Sequence, residues 1–285
     1  MTRVDQFESV FRAATKTVFE YEPVEVESIL VVTDRDSEAA GAVLQSLRSF
    51  LSVLDRGENV RWTTVSGEDF ADVPGLLAKV EEHAPGLICT HRHLHSGSRE
   101  WPFTLGECLD VLTQVAAAPV LVFPHPEVAG VVARSSQTRT VMAVTDHLTG
   151  DHRLVNYAAR FTGSDGRLLL THIEDDAVFK RYIEAIGKIP SIPTDEAEKL
   201  LLERLLKDPS DYIDTCTSAL ADHALEIRVE SLVTMGHHLT DYKRLVLEHS
   251  IDLLVMNTKN EGQEAMHGMA HALAIELRDL PLLLL

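Results

Sequence analysis

At 285 residues, 45% hydrophobic and 25% charged, the chain has the makeup of a folded protein with room for two ordinary domains. Its net charge of −18, from 26 basic and 44 acidic residues, argues against duplex DNA or RNA and against an anionic membrane surface as partners. Cys89, Cys108 and Cys216 have no framework spacing and read as reduced thiols, and neither a signal peptide nor an apolar run of spanning length is visible, so the expected compartment is the cytoplasm.

In chain order, Val4 to Phe19 carries Phe7, Val10, Phe11, Ala14 and Val18 at helical spacing, which predicts a short amphipathic helix. An acidic linker, Glu20 to Glu27, follows. A strand is predicted over Ser28 to Thr33, with Asp36 or Ser37 capping a helix whose apolar stripe is Ala40, Val43, Leu44, Leu47, Leu51 and Leu54. A strand from Val60 to Val65, a helix from Val73 to His83 and a strand from Gly86 to Thr90 come next. The polar loop His91 to Pro102 leads to a helix bearing Leu105, Leu109, Leu112 and Ala116, and Val120 to Phe123 is a closing strand. Residues 127–138 read as a linker. Beyond it, strand Thr140 to Thr145, helix Asp151 to Phe161 and strand Arg167 to Ile173 are predicted. A long helical excursion, Asp175 to His223, is expected to break at Pro190, Pro193 and Pro209. Strand Leu225 to Val233, helix Thr240 to His249, strand Asp252 to Met256, helix Gln263 to Arg278 and strand Pro281 to Leu285 complete the chain.

The chain contains itself twice. Ile29 to Asp34 (ILVVTD) returns as Val141 to Asp146 (VMAVTD), and Asn59 to His83 returns as Glu226 to His249. The period far exceeds the roughly 20–50 residues of solenoid repeats, so it marks a duplicated domain. The strands are continuous apolar runs separated by helices, the pattern of a parallel sheet covered on both faces. The expected architecture is therefore α/β: residues 1–27 as helix and linker, 28–126 as a first domain, 139–285 as a second. Two tandem parallel sheets result, the first shortened by one strand-helix unit. The closing strands Val120 to Phe123 and Leu282 to Leu285 are expected to pair the halves, since each otherwise presents a bare edge.

A strand ending in Thr145-Asp146, a second running Thr171 to Glu174 (THIE), a fourth reading IDLLVMNTKN (Ile251 to Asn260) and an end reading LRDLPLLLL (Leu277 to Leu285) together resemble the universal stress protein family. The resemblance covers nearly all of the second half, and the first half at its opening strand and from Val60 onward. It implies a flavodoxin-like (Rossmann-like) sheet with a site at the carboxyl ends of strands one and four. Nucleotide-binding members place adenine near the Asp after strand one and seat phosphates on a pattern of Gly, two residues, Gly, nine residues, then Gly with Ser or Thr. Bare glycine backbone and a helix N-terminus suit that task. Here the glycine positions fall on Asn257, Asn260 and Ala270, and the Ser position on His271. In the first half Gly106 matches the third glycine, but Glu107 replaces the Ser, and His93 and Ser96 hold the earlier places.

The tentative ligand residues are accordingly Thr145, Asp146, Ile173, Asn257, Thr258, Lys259, Asn260, Ala270 and His271, with Thr33 and Asp34 in the first half. Either Asp could instead cap or turn the chain, and the Asn257 to Asn260 loop could be simply solvated. His91, His93 and His95 alternate, so an extended segment would set all three on one side as metal ligands. The competing reading is a polar loop that also carries Arg92 and Arg99. Trp101-Pro102-Phe103 reads as a staple for the next helix, and Arg61 and Arg228 as partners of carboxylates at strand starts.

No motif of an acyl-transfer nucleophile, P-loop or zinc protease is present. The preferred reading is a non-catalytic stress-type protein that binds a partner or small ligand. Alternatives are an ATP- or AMP-binding member with its site in the second half, and a metal-dependent enzyme built on His91, His93 and His95. A homodimer or an unidentified protein partner is compatible with all three.

Overall fold

The computed structural model describes residues 17–55, 59–96, 103–125, 137–145, 147–258 and 268–285. The first half contains β1 (Ser28–Val32), α1 (Ser37–Phe50), a 3-10 turn (Ser52–Asp55), β2 (Arg61–Val65), α2 (Val73–His83), β3 (Leu87–His91), α3 (Glu107–Val115) and β4 (Val120–Phe123). The second contains β5 (Thr140–Val144), α4 (His152–Phe161), β6 (Gly166–Asp175), α5 (Asp176–Ile186), α6 (Thr194–Asp222), β7 (Ile227–Gly236), α7 (His238–Glu248), β8 (Leu253–Met256), α8 (Gly268–Glu276) and β9 (Leu282–Leu284). Most of the predicted N-terminal helix and of the 127–138 linker lies outside the described residues; residues 17–19 are not helical.

Local chemistry starts several helices where the sequence places an Asp. Asp36 accepts the Ala39 N–H at 2.9 Å, Asp72 that of Gly75 at 2.9 Å and Asp151 that of Leu154 at 3.0 Å. Each satisfies one of the N–H groups that a helix start leaves unpaired.

The strands form one nine-stranded sheet in the order β2-β1-β3-β4-β9-β8-β5-β6-β7. Every ladder inside a half is parallel. The two parallel sheets meet edge to edge through one antiparallel ladder, with Val120 opposite Leu284, Leu121 opposite Leu283 and Val122 opposite Leu282. They thus continue into each other rather than stacking as separate layers. In the shortened first half, β2 pairs directly with β1 and takes the place that β6 holds beside β5.

Side chains alternate between the faces. Ile29 and Val31 pack with Phe50, Leu54, Phe161 and Tyr212 under α1, α4 and α6, while Leu30 and Val32 share the opposite core with Leu76, Leu109, Tyr242 and Leu273. Both cores run across the two halves.

The excursion differs from its prediction in one respect. Pro190 and Pro193 lie between α5 and α6, but Pro209 lies inside α6, buried, and the helix runs on to Asp222. Proline removes a helix hydrogen bond. The turns after it compensate by burying Tyr212, Ile213, Cys216 and Leu220. Arg61 and Arg228 are exposed and make no ion pair among the described residues; at this sheet end Arg167 binds Glu230 through two contacts of 2.8 Å.

A second connection lies on the α4 face. Residues 17–27 cross the second half before entering β1. Phe19 is buried, its ring stacked on His152 at 5.7 Å, and its N–H donates to Thr215 Oγ1 at 3.0 Å. Arg160 on α4 donates to three carbonyls that precede or belong to the first half: Val24 at 3.1 Å, Val53 at 2.8 Å and Leu54 at 3.2 Å. Arg160→Ala strands these acceptors, and an unmade bond of this kind costs about 1–3 kcal/mol. A urea unfolding curve should show a loss of that size; an unchanged midpoint would mean that water satisfies the carbonyls equally well.

Candidate functional site

At the carboxyl end of the first half, the predicted ligand residues face one another. Thr33 and Asp34 follow β1, and His91 ends β3. His91 Nε2 lies 3.2 Å from Thr33 Oγ1 and 3.2 Å from Asp34 Oδ1, while the His95 N–H donates to Asp34 Oδ2 at 3.0 Å. Burial alone would push the Asp34 carboxyl upward. The His91 hydrogen bond and charge, the His95 N–H and the Arg35 charge outweigh it and hold the group at about 2. Both carboxylate oxygens are therefore engaged by the protein itself, and Asp36, not Asp34, caps α1.

The three alternating histidines do not share a face. His93 and His95 have φ of 60° and 55°, so the chain turns where an extended strand was expected. Gly106, at φ 95°, starts α3 so close to the turn that a Cβ there would sit 3.0 Å from His93 Cα. His91 faces Asp34, His93 is buried, and His95 lies edge-on to Phe70 with ring centroids 4.7 Å apart. Among the described residues no three His, Cys, Asp or Glu side chains are grouped as metal ligands.

Arg92 is not the exposed loop residue its surroundings in sequence suggested. Only 2% exposed, it sends Nη2 across to the Leu277 carbonyl at the end of α8, at 2.9 Å. Burial, with the Arg278 charge, brings the guanidinium down to about 10 against the pull of Asp279. Its Nε and Nη1, with Thr90 Oγ1, His93 Nδ1 and Ser96 Oγ, are buried and have no hydrogen-bond partner among the described residues. Phe103 is exposed, and the Arg278 guanidinium carbon lies 4.6 Å from its ring centroid. Trp101, Pro102 and Arg99 are outside the described residues.

In the second half, Thr145 and Asn257 converge on Asp151. Asn257 Nδ2 donates to Asp151 Oδ2 at 2.5 Å, and the Asp151 carboxyl is raised by burial against the opposing Leu154 N–H and Asn257 amide. Thr145 Oγ1 accepts the His147 N–H at 3.3 Å. The Ile173 carbonyl lies 2.6 Å from His238 Nε2, an imidazole from the start of α7. Beside it, burial first and then the His147 and His238 charges lower His172, with Glu174 opposing. Thr258 belongs to the chain end: its Oγ1 donates to the Leu285 carbonyl at 2.7 Å. Ala270 packs into the core, and His271 is exposed, its charge felt by Asp110 of the first half. Asp146, Lys259 and Asn260 lie outside the described residues. Asp151 was legible as a helix start; nothing in the sequence marked His238 or Arg92 as contacts.

A cavity of about 550 Å³ opens at the amino ends of β8 and β9, between Lys243, Leu247, Ser250, Glu276 and Arg278, and Leu277, the residue that receives Arg92, also lines it.

No family model matches the sequence, and no curated protein does. Solved structures do. A functionally unknown protein, PA1789, from Pseudomonas aeruginosa PAO1 is 15% identical, with 91% of this chain and 92% of that one covered at a TM-score of 0.50. A universal stress protein from Archaeoglobus fulgidus DSM 4304 is 13% identical over 91% of this chain and 96% of its own, at 0.48. The chain shares its fold with PA1789. Hypothetical protein MJ0577 aligns with 52% of this chain and 95% of its own at 14% identity and a TM-score of 0.41, a span of about one half. At these identities the likeness is one of fold. No helix among the described residues is long and apolar enough to cross a membrane.

The Asp34 contacts make a pH prediction. The folded-state value lies below the ordinary 3.8, so ionised Asp34 stabilises the fold above about pH 4, and this contribution fades as pH falls toward 2. Urea unfolding of the native protein and of Asp34→Asn, from about pH 6 down to about pH 3, should show a stability gap that is constant above about pH 4 and narrows below it. A gap that ignores pH would contradict the account.

Proposed function

We propose that this chain is a non-catalytic, tandem member of the universal stress protein family, acting in stress response or regulation by binding a partner or small ligand. The sequence motifs at Thr145, Thr171 to Glu174 and Ile251 to Asn260 and the shared fold support the family reading. One observation carries the functional one: groups that would recognise a nucleotide are already taken by the protein. Asp34 is held by His91 and His95, the Ile173 carbonyl faces His238, and Asn257 is held by Asp151. The missing glycines at 257, 260 and 270 act in the same direction, because each added side chain keeps backbone N–H groups from closing on phosphate.

In this reading, domains 28–126 and 139–285 act as one body, the intramolecular counterpart of a homodimer, in the cytoplasm. The α5–α6 hairpin, where Tyr182, Ile189, Ile192 and Leu200 are exposed, is the surface offered to a partner.

ATP, AMP and cyclic AMP at millimolar concentration should leave the melting temperature of the purified protein unchanged. A ligand that binds only the folded state must raise it by mass action. A saturable rise of several degrees with any of the three would replace this proposal with the nucleotide-binding alternative.

A further inference from the structure

Between β6 and β7 the second half carries the α5–α6 hairpin, and the first half has no equivalent. The sequence of the hairpin is that of a packed element. Val178, Tyr182 and Ile186 recur at helical spacing on α5, as Leu201 with Leu205 and Leu202 with Leu206 do on α6. Yet Phe179 alone is buried on α5, and on α6 burial begins only at Pro209. The four leucines are half-buried, and Tyr182 and Leu200 are 50% and 57% exposed. The carboxyl-terminal part of α6 is thus closed by the core, while its first four turns and α5 have only each other. A helix is held chiefly by burying its apolar face, and two helices leave the outer part of each stripe in water.

Charge indicates what covers it. Residues 176–208 hold seven acidic and six basic side chains, a net of −1, which leaves −17 of the net −18 on the rest of the chain. Lys180 pairs with Asp176, and Arg204 with Asp208, each along its own helix. Arg181, Lys188, Lys199, Glu184, Glu198 and Glu203 make no ion pair among the described residues.

We propose that the hairpin packs against the same hairpin of a second copy of this chain, the four helices forming a bundle about a twofold axis. The inference rests on the reading of the hairpin as a binding surface and specifies its occupant. Two chains of this acidity repel each other over most of their surface, and the hairpin is where that repulsion is least. A twofold contact sets one patch against itself, so the patch must offer both signs of charge, as this one does. A strongly basic partner would be drawn instead to the acidic remainder. Four helices around a shared apolar centre enclose the stripes that two leave open.

Sedimentation velocity of the full chain at micromolar concentration should give twice the chain mass of 31.6 kDa. Tyr182→Glu combined with Leu200→Glu, at two exposed positions, should return the mass to that of one chain while circular dichroism stays native. In the native protein, hydrogen exchange of peptides from α5 and from residues 194–208 should slow as concentration rises. A native chain that sediments as a monomer would overturn the proposal. So would a dimer that persists in the folded double variant, or exchange in the hairpin that ignores concentration. Each of these results removes the dimer alone; the melting test with ATP, AMP and cyclic AMP separately decides the reading on which it rests.

Discussion

The antiparallel ladder between β4 and β9 is the constraint on which the rest of the molecule depends. Each strand is an apolar run, four residues in β4 and three in β9, buried along its length. Left alone, either would be a sheet edge with unpaired backbone and no polar face, the arrangement that invites aggregation. Pairing them satisfies both edges at once. It also makes both hydrophobic cores common property, so neither half is enclosed without the other.

The direction of that ladder has a functional consequence. Because β4 and β9 run antiparallel, the carboxyl ends of the two parallel halves point opposite ways. Each ligand-end loop therefore lies against a helix terminus from the other half. Arg92 meets Leu277, Arg278 meets Phe103, and Thr258 borders the cavity at Ala116 to Ala118. Duplication has given each loop a neighbour that a lone domain would lack. The first-half loop uses its neighbour to bury a guanidinium; the second-half loop leaves space.

The frame was legible because it is written in local signals. Continuous apolar runs marked the strands, and Asp36, Asp72 and Asp151 stood where helices begin. The helix from Val73 to His83 was read with its bounds intact, and the missing strand-helix unit of the first half showed as a gap in the repeat. What was not legible depends on contacts distant in sequence. Pro209 reads as a breaker until the burial of Tyr212 and Ile213 is known. The alternation of His91, His93 and His95 reads as a strand until the left-handed backbone at His93 and His95 is known. His238 reaches Ile173 across 65 residues, and Arg92 reaches Leu277 across 185, so no window of sequence contains either pair. For the same reason the candidate site was located by strand ends, while its polar engagements were not.

Hydrogen exchange measured peptide by peptide across the whole chain tests the central claim most directly. If the ladder makes the halves one cooperative body, the amides of Val120 to Phe123 and Leu282 to Leu284 belong to the slowest class. They exchange with one opening free energy, shared by β1 and β5. Closing strands that exchange early, or halves that open with two separate free energies, would contradict the account.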